Sequence, residues 1–407
     1  MKLIMLWLAG SVLYLVSFSN SNLSVIGIIS SLIFCFLSIY IFRTIPPGIS
    51  RTLIAYSLFL STSVLSFFNI ITPLTGSVSE STNILFYGFS FYSASLAYLV
   101  IKNVTPSFSD SLKVANPLLL STGPIALFIN NYSYRRLHLR VNYFLPFILV
   151  GFFLFHIVAA PLTATFELIK MTDAISSIVF AVIFELFVYA NFCGLSLMLY
   201  GLFGIFGYKI PLNFKQPFSS SNIIEFWRGW HLSLSAVLKL LFYAPIRKIF
   251  PSSIALIVLF LASAMWHGIT LNFFIWGCLH ALVFIITIFL LKNNIPFVPM
   301  IILILGIILG RLIFADSDVD RLVQKLLFTY EGFGAFDTIL SLPITTKLSL
   351  MMGFGLIGIE FFFRNTNMLR KRNYKHLRTP TSLTVILLIT IFLIDSGNLS
   401  YAVYGQR

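Results

Sequence analysis

Apolar runs long enough to cross a lipid bilayer recur from one end of this 407-residue chain to the other. Runs such as residues 254–265 and 298–309 are apolar at consecutive positions, whereas the strands of a membrane β-barrel alternate polar and apolar residues. Only 10% of the residues are charged, against about a quarter in soluble domains. Because lipid offers no hydrogen bonds to the backbone, the spans must be helical. The sequence therefore predicts an all-α polytopic membrane protein with about eleven transmembrane helices.

The positive charge of the chain lies mainly between the apolar runs. The formal net charge is +14, and Lys and Arg flank the predicted spans as they do in cytoplasmic loops of membrane proteins. The densest group predicts a cytoplasmic loop against an anionic leaflet, and it comprises Arg364, Arg370, Lys371, Arg372, Lys375 and Arg378. No segment interleaves aromatic and basic residues like a single-strand binding groove. We therefore expect a lipid bilayer, and no nucleic acid, as partner.

One segment, residues 208–248, is too polar to cross lipid and too aromatic for a flexible loop. Such segments are tolerated at membrane depth where they are buried in protein or line a cavity, which predicts re-entrant or interfacial helices here. The apolar run before it, residues 176–206, is too long for one straight crossing. We expect this run to tilt, kink or break near Gly194.

Two Trp-His pairs are the strongest candidates for chemistry. His231 follows Trp230 inside the polar segment, and His267 follows Trp266 in an otherwise apolar stretch. Ionisable side chains are rare in membrane spans and are functional candidates by default. A neutral imidazole can take a proton from a hydroxyl near neutral pH. The alternative is a pair of core histidines that are hydrogen-bonded between helices.

Other reactive groups fit known kinds of site less well. His267 and His280 have no carboxylate three or four positions away, so we expect no metal site. Ser263 precedes His267, but the chain lacks a GxSxG nucleophile motif. The cysteines lie in apolar stretches without CxxC spacing, which predicts buried thiols at Cys35, Cys193 and Cys278.

The stretches around the two histidines carry a recognisable pattern. Residues 207–218 read GYKIPLNFKQPF, residues 225–235 read EFWRGWHLSLS, and residues 265–281 read MWHGITLNFFIWGCLHA. Together they resemble the signature stretch and the WHG segment of bacterial membrane-bound O-acyltransferases. Three weaker similarities, to a GPI element, to an FRADS element without its Arg and to an aromatic tail, lie at residues 121–125, 314–317 and 401–407. The alginate and exopolysaccharide O-acetylation branch is the most similar.

The resemblance implies a single integral membrane domain over residues 1–407, with re-entrant helices around a central funnel. Residues 1–85 would form divergent N-terminal helices, and residues 86–407 the family-like core. His267 would be the catalytic residue at the centre, with His231 as the second catalytic histidine. The residues assigned to substrate binding are Trp230, Trp266, Asn272, Arg228 and Asn191.

For Asn272 the assignment also rests on its place on the helix. Asn272 and Trp276 follow His267 by one and by about two and a half turns, so their polar hydrogens are expected near the same pocket. Helix packing for Asn272 and an interface anchor for Trp276 are open alternatives.

The implied reaction moves an acyl group, expected to be acetyl, from a cytoplasmic thioester to a hydroxyl. The expected donor is acetyl-CoA, with no bound cofactor. The expected acceptor is an extracytoplasmic polysaccharide or a partner acetyltransferase on that side of the membrane. The resemblance also implies a multi-pass protein of the bacterial inner membrane.

The chain departs from the family at charged positions. Asn191 and Leu197 stand where the family usually has acidic residues, and Lys239-Leu240 stands where it often has Arg-Asp. A divergent enzyme and a catalytically degenerate scaffold both fit these losses. D-alanyl transfer toward teichoic acid, peptidoglycan O-acetylation and a transporter-like subunit are further alternatives. The predicted spans hold few carboxylates, which weakens the transporter hypothesis, and each could lie near an interface: Glu167, Glu185 and Glu360.

Overall fold

Helices formed by the apolar runs make up most of the described chain in the computed structural model. The residues that the structure describes are 2–17, 23–67, 80–104, 107–122, 125, 130–131, 136–162, 173–295, 297–316, 318–327, 334–367 and 374–393. The tail at residues 401–407, Glu167 and the middle of the predicted basic loop lie outside them.

The first half of the chain forms eight helices among these residues, and they are α1 (Lys2–Ser17), α2 (Leu23–Thr44), α3 (Ile49–Phe67), α4 (Glu80–Ile101), α5 (Phe108–Val114), α6 (Pro117–Thr122), α7 (Leu137–Phe152) and α8 (Ala174–Phe206). A π-helical stretch, Phe153–Ala159, and a 3-10 turn, Ala160–Leu162, continue α7. The second half forms α9 (Ile223–Trp227), α10 (Leu232–Leu238), α11 (Ala244–Arg247), α12 (Ser252–His267), α13 (Leu271–Lys292), α14 (Val298–Phe314), α15 (Val319–Leu326), α16 (Ala335–Ser341), α17 (Ile344–Phe362) and α18 (Pro380–Leu393).

Four helices of the described chain are long and apolar enough to cross a membrane, and they are Leu137–Leu162, Ala174–Phe206, Leu271–Lys292 and Ile344–Phe362. Shorter apolar helices of 10–17 residues accompany them. The predicted all-α membrane protein is therefore confirmed, whereas the count of eleven spans is not. The apolar run at residues 114–130, one of those counted as spans, shows one reason. The helix that ends at Val114 does not continue through Pro117, which cannot donate a backbone hydrogen bond and instead begins α6.

The longest helix, α8, lies at the centre of the bundle and continues without a break for 33 residues. Asp173 caps its start by accepting a hydrogen bond from the Ser176 backbone N–H at 2.7 Å. Gly207, at a left-handed φ of 95°, ends it. Of the three possibilities expected for this run, a break near Gly194 does not occur. A helix of this length extends about 50 Å, well beyond the hydrocarbon core of about 30 Å.

Gly194 instead allows α7 to cross α8 at very close range. A Cβ atom added to Gly194 would lie 2.7 Å from the carbonyl oxygen of Gly151, and one added to Gly151 would lie 2.5 Å from that of Gly194. Small residues at helix crossings let backbones approach in this way and are typical of membrane bundles. The two glycines therefore set the distance between α7 and the central helix.

The polar segment forms short helices, as predicted. Its first residues, Tyr208–Lys209, pair antiparallel with Asn130–Asn131 as two-residue strands β2 and β1. The segment then continues through α9, α10, a π-helical stretch at Lys239–Tyr243 and α11. Its depth in the bilayer stays a prediction.

The cysteine prediction is correct for two of the three thiols. Cys35 and Cys193 are buried, and the Cys193 sulfur lies 2.9 Å from the Tyr374 hydroxyl. Cys278 is exposed, so the prediction for it was wrong. It lies on the outer face of α13 with the exposed side chains of Phe274 and Leu282, one turn before and one turn after it.

Gln216 ties the polar segment to the chain that follows α17. Its Oε1 accepts a hydrogen bond from the Tyr374 backbone N–H at 2.9 Å, and its Nε2 lies 3.0 Å from Nδ1 of His376. Because the Gln216 oxygen already accepts, the amide nitrogen must donate and His376 Nδ1 must be unprotonated. We call Gln216, Tyr374 and His376 the glutamine clamp.

The glutamine clamp predicts a loss of stability in acid. Burial lowers the pKa of His376 from 6.5 to about 4, so the unfolded chain binds a proton at a higher pH than the folded chain does. Between pH 6.5 and about 4, protonation of the unfolded chain at His376 therefore lowers the free energy of unfolding by about 1.4 kcal/mol for each unit by which the pH falls. We expect His376→Gln to flatten the fall of the melting temperature between pH 6.5 and 4 in detergent. An unchanged slope would show that His376 does not titrate on unfolding.

Candidate active site

A cavity of about 550 Å³ opens between the central helix, the polar segment and helices α12 to α14. Aromatic and aliphatic side chains form most of its wall. Its polar lining residues are Asn191, Arg228, His231, Ser235, Lys239, Ser252, Ser263, His267 and Arg311, with Trp and Tyr side chains beside them. Both sequence-predicted histidines thus lie on one cavity, although their segments are separate in the sequence.

His231 is held in an unusual backbone conformation at the start of α10. Its φ of 42° and ψ of 54° lie in the left-handed region, which non-glycine residues seldom adopt. The side chain is 5% exposed, and its Nδ1 lies 3.2 Å from Oδ1 of Asn213. That oxygen also accepts the backbone N–H of Ser233 at 3.2 Å and its hydroxyl at 2.7 Å. Nδ1 must therefore carry the proton, which leaves Nε2 as the basic nitrogen.

The Asn213 contact also brings three of the motif segments together. Leu232 donates its backbone N–H to the Asn213 carbonyl at 2.9 Å, and the Ser233 hydroxyl accepts the Ile125 backbone N–H at 3.1 Å. Ile125 is the last residue of the GPI-like element. The residues around Asn213, the element near Ile125 and the His231 segment therefore form one junction that fixes the imidazole ring.

His267 is the last residue of α12 and is half-buried in the wall of the cavity. Aromatic rings surround its imidazole, with Phe314 at 5.0 Å and Trp276 at 6.0 Å between ring centroids. Trp266 contacts both histidines, at 5.2 Å from His267 and 6.0 Å from His231. Both imidazoles thus lie against the same indole ring.

The residues predicted to bind substrate fall into two groups. Trp230, Arg228 and Asn191 line the cavity, as does Trp276. Trp266 and Asn272 do not. Trp266 packs behind the two histidines against Phe91, at 5.4 Å between ring centroids.

Asn272 joins two helices of the bundle instead. Its Nδ2 donates to the Ile313 carbonyl of α14 at 3.3 Å, and its Oδ1 accepts from the Thr270 hydroxyl. These contacts use the amide in helix packing, the alternative that the sequence left open. A substrate-binding role for Asn272 stays a prediction without support from the cavity wall.

A buried ion pair beside the cavity was not expected from the sequence. The Arg311 Nε donates to the Glu185 Oε2, and both side chains are largely buried. Glu185 therefore lies inside the bundle, and its distance from the membrane interface stays a prediction. Glu360 is also buried, and its Oε1 accepts the Tyr189 hydroxyl at 3.1 Å. Arg311 was not among the predicted site residues. Its position inside an apolar run could have identified it, since ionisable residues in such runs are functional candidates.

The charge of the cavity wall is positive. Arg228, Lys239 and Arg311 line it, and none of its lining residues is Asp or Glu. Arg228 and Lys239 are exposed, whereas Arg311 is buried. Within the described part of the chain, no three His, Cys, Asp or Glu side chains lie close enough together to hold a metal ion. The wall therefore suits an anionic ligand whose reacting group reaches the buried end.

A family model agrees with the motifs around this cavity. The model of the MBOAT, membrane-bound O-acyltransferase family, matches residues 21–297, which include both histidines. The chain is similar to the peptidoglycan O-acetyltransferase of Helicobacter pylori, with 38% identity over 98 residues, which is 23% of this chain and 19% of that protein. It is also similar to the probable alginate O-acetylase AlgI of Pseudomonas aeruginosa, with 32% identity over 158 residues, 37% of this chain and 30% of that protein.

A third relative is named for a different activity. The teichoic acid D-alanyltransferase of Bacillus subtilis is 31% identical over 109 residues, 24% of this chain and 28% of that protein. The chain thus spans between a fifth and a third of the length of these curated relatives. The family match is broader, since residues 21–297 are more than half of the 407 residues. On this match, the chain belongs to the membrane-bound O-acyltransferase family.

Proposed function

We propose that this protein transfers an acetyl group from a thioester to a hydroxyl group of a cell-envelope or secreted polysaccharide. The observation that carries the proposal is the convergence of His231 and His267 on one cavity with a cationic wall. The family and the acetyltransferase relatives support the reaction class. The proposed acceptor is a glycan outside the cytoplasm, or a partner acetyltransferase on the same side of the membrane. The proposed location of the protein is the bacterial inner membrane.

In the proposed reaction, His267 is the general base. It removes the hydroxyl proton as the hydroxyl oxygen attacks the thioester carbonyl carbon, so that a C–O bond forms and the C–S bond breaks. The imidazolium then returns the proton to the leaving thiolate. General-base assistance of this kind typically accelerates a reaction by about 10²–10⁴-fold. His231, whose Nδ1–H is fixed by Asn213, offers Nε2 as a hydrogen-bond acceptor for a second hydroxyl group of the acceptor, which orients the attacking one.

The exposed cations of the wall support a phosphate-bearing donor. Acetyl-CoA carries several negative charges on its nucleotide portion, and Arg228 and Lys239 line the cavity at exposed positions. Opposite charges at a cavity entrance raise the local concentration of a ligand and guide its approach. We therefore propose acetyl-CoA as the donor, bound with its phosphates near these residues and its acetyl group towards His267.

The same charge pattern favours acetyl over D-alanyl transfer. A D-alanyl group carries an ammonium ion beside the reacting carbonyl, and the buried part of the cavity wall presents Arg311 and no carboxylate. Glu185, which could neutralise an ammonium ion, is bound to Arg311 instead.

Ester analysis of envelope and secreted glycans tests this function. Acetyl and D-alanyl esters would both be measured in the native strain, a deletion strain and a strain with the native chain restored. We expect acetyl esters to disappear on deletion and to return on restoration, with D-alanyl esters constant. Loss of D-alanyl esters alone would identify a D-alanyltransferase. Unchanged levels of both would contradict transfer of either group.

A further inference from the structure

Arg311 is a buried cation that takes no part in the acyl transfer as proposed above. It lies near the end of α14, is 8% exposed and lines the cavity. Charged side chains are expensive inside a membrane bundle and are usually retained for function. Pairing with Glu185 offsets part of that cost, because it leaves the buried pair neutral overall.

The guanidinium group of Arg311 lies between the two histidine-bearing parts of the site. Its central carbon is 5.0 Å from the centroid of the Trp230 ring, and Trp230 directly precedes His231. It is also 5.6 Å from the centroid of the Phe314 ring, which contacts the His267 imidazole at 5.0 Å. The two aromatic rings and the Glu185 carboxylate therefore fix the plane of the guanidinium beside the reacting centre.

The ion pair uses only one of the hydrogen-bond donors of Arg311. Its Nε–H donates to Glu185, and no residue that the structure describes accepts a hydrogen bond from its two terminal amino groups. These groups carry the other four of the five N–H donors of an arginine side chain. Arg311 lines the cavity, and neither terminal amino group is among the buried polar atoms of the described chain that lack a partner. Both groups can therefore donate to an oxygen-bearing ligand in the cavity.

We propose that the terminal amino groups of Arg311 bind the thioester carbonyl oxygen and stabilise its negative charge in the tetrahedral intermediate. As the hydroxyl oxygen attacks, the carbonyl π electrons move onto this oxygen. They re-form the carbonyl bond when the thiolate leaves and takes the proton. Arg311 keeps its own protons throughout. This assignment rests on the proposed acyl transfer and adds a catalytic residue to it.

The decisive comparison removes the guanidinium from a chain in which Glu185 is already neutral. Glu185→Gln keeps an acceptor for the Arg311 Nε–H and is the control. Glu185→Gln/Arg311→Met removes both charges, which avoids the large destabilisation of breaking a buried pair from one side. Both would be compared in membranes of the source strain that lack the native chain, with radiolabelled acetyl-CoA as donor and base-labile acetyl esters as the readout.

Relative to Glu185→Gln, we expect the double variant to have a maximal rate that is about 100-fold lower, because one oxyanion donor typically contributes about 10²–10³-fold. The apparent KM for acetyl-CoA should change by less than about threefold, since the interaction strengthens only in the transition state. Rates would be normalised to folded protein by size-exclusion chromatography in detergent. Glu185→Gln/Arg311→Lys, which keeps the cation, should recover part of the lost rate.

Equal maximal rates for the control and the double variant would overturn the assignment. So would a higher KM with an unchanged maximal rate, which would make Arg311 a donor-binding residue. If Glu185→Gln/Arg311→Met does not fold, the test rests on Glu185→Gln/Arg311→Lys. A rate of this lysine variant as low as that of His267→Ala, despite normal folding, would count against the assignment. Absence of acetyl transfer by the native chain would overturn the proposed function itself.

Discussion

Replacing His267 with alanine is expected to lower acetyl transfer by about 10³-fold while the protein still folds. The imidazole is half-buried at the end of α12, in contact with Phe314 and Trp276, so its removal takes away the proposed base and leaves the aromatic wall. The measurement is the ester-linked acetyl content of envelope glycans in a deletion strain that expresses the variant. Protein levels and size-exclusion profiles would be matched to the native chain.

His138→Ala is the matched control, because His138 is exposed on the first turn of α7 and does not line the cavity. It should restore acetyl esters to the native level. Full restoration by His267→Ala would instead support the degenerate scaffold, in which the histidine only packs. Substrate transport by the purified protein without any acyl donor would support the transporter-like alternative.

Replacing Gly194 with valine is expected to prevent stable folding of the central helix pair. The new side chain would collide with the Gly151 carbonyl oxygen and the Phe155 backbone nitrogen, which are backbone atoms that cannot rotate away. Overpacking of this kind costs about 1–3 kcal/mol even where side chains can adjust, and more where backbone must move. We expect most of the purified variant to elute as aggregate in detergent. Gly151→Val should have the same effect.

A double substitution tests whether the two glycines at the crossing of α7 and α8 act through the same contact. Because both glycines serve one contact, Gly151→Val/Gly194→Val should be little worse than either single variant. Gly358→Val is the control, since a Cβ atom there would meet nothing within 4 Å. A Gly194→Val protein with native stability would mean that the two helices can separate without loss. The inference that the two glycines set the distance between α7 and α8 would then be wrong.

Much of the site could be predicted because its chemistry lies in short motifs. The two Trp-His pairs, and the polar segment that contains the first of them, were visible as residues that lipid alone would not favour. The short helices of residues 208–248 followed from the same polarity. The assignment of the two histidines as catalytic, and of their neighbours as substrate-binding residues, stays a prediction. The division of the chain at residue 86 also stays a prediction.

The partners of these residues could not be predicted, because they come from distant parts of the chain. Glu185 and Arg311 are 126 positions apart, and each lies alone in a long apolar run. Hydropathy averages over such a run and does not indicate which helices will face each other. Asn272 is the opposite case, a residue that the sequence assigned to the site but that joins two helices instead. Its spacing from His267 placed it near the site, but its amide bonds to the Ile313 carbonyl of the neighbouring helix.

The glutamine clamp has a consequence for the order in which the protein is made. Gln216 is joined to Tyr374 and His376 across 158 and 160 positions, so these contacts cannot form while the ribosome is still adding the intervening residues. The polypeptide that carries both histidines would therefore enter the membrane before its last support exists. A contact with such a long loop forms late and closes only against the entropy of that loop. Completion of synthesis would then be the step that fixes the polar segment to the end of the bundle, and a chain released before residue 374 would insert without the glutamine clamp.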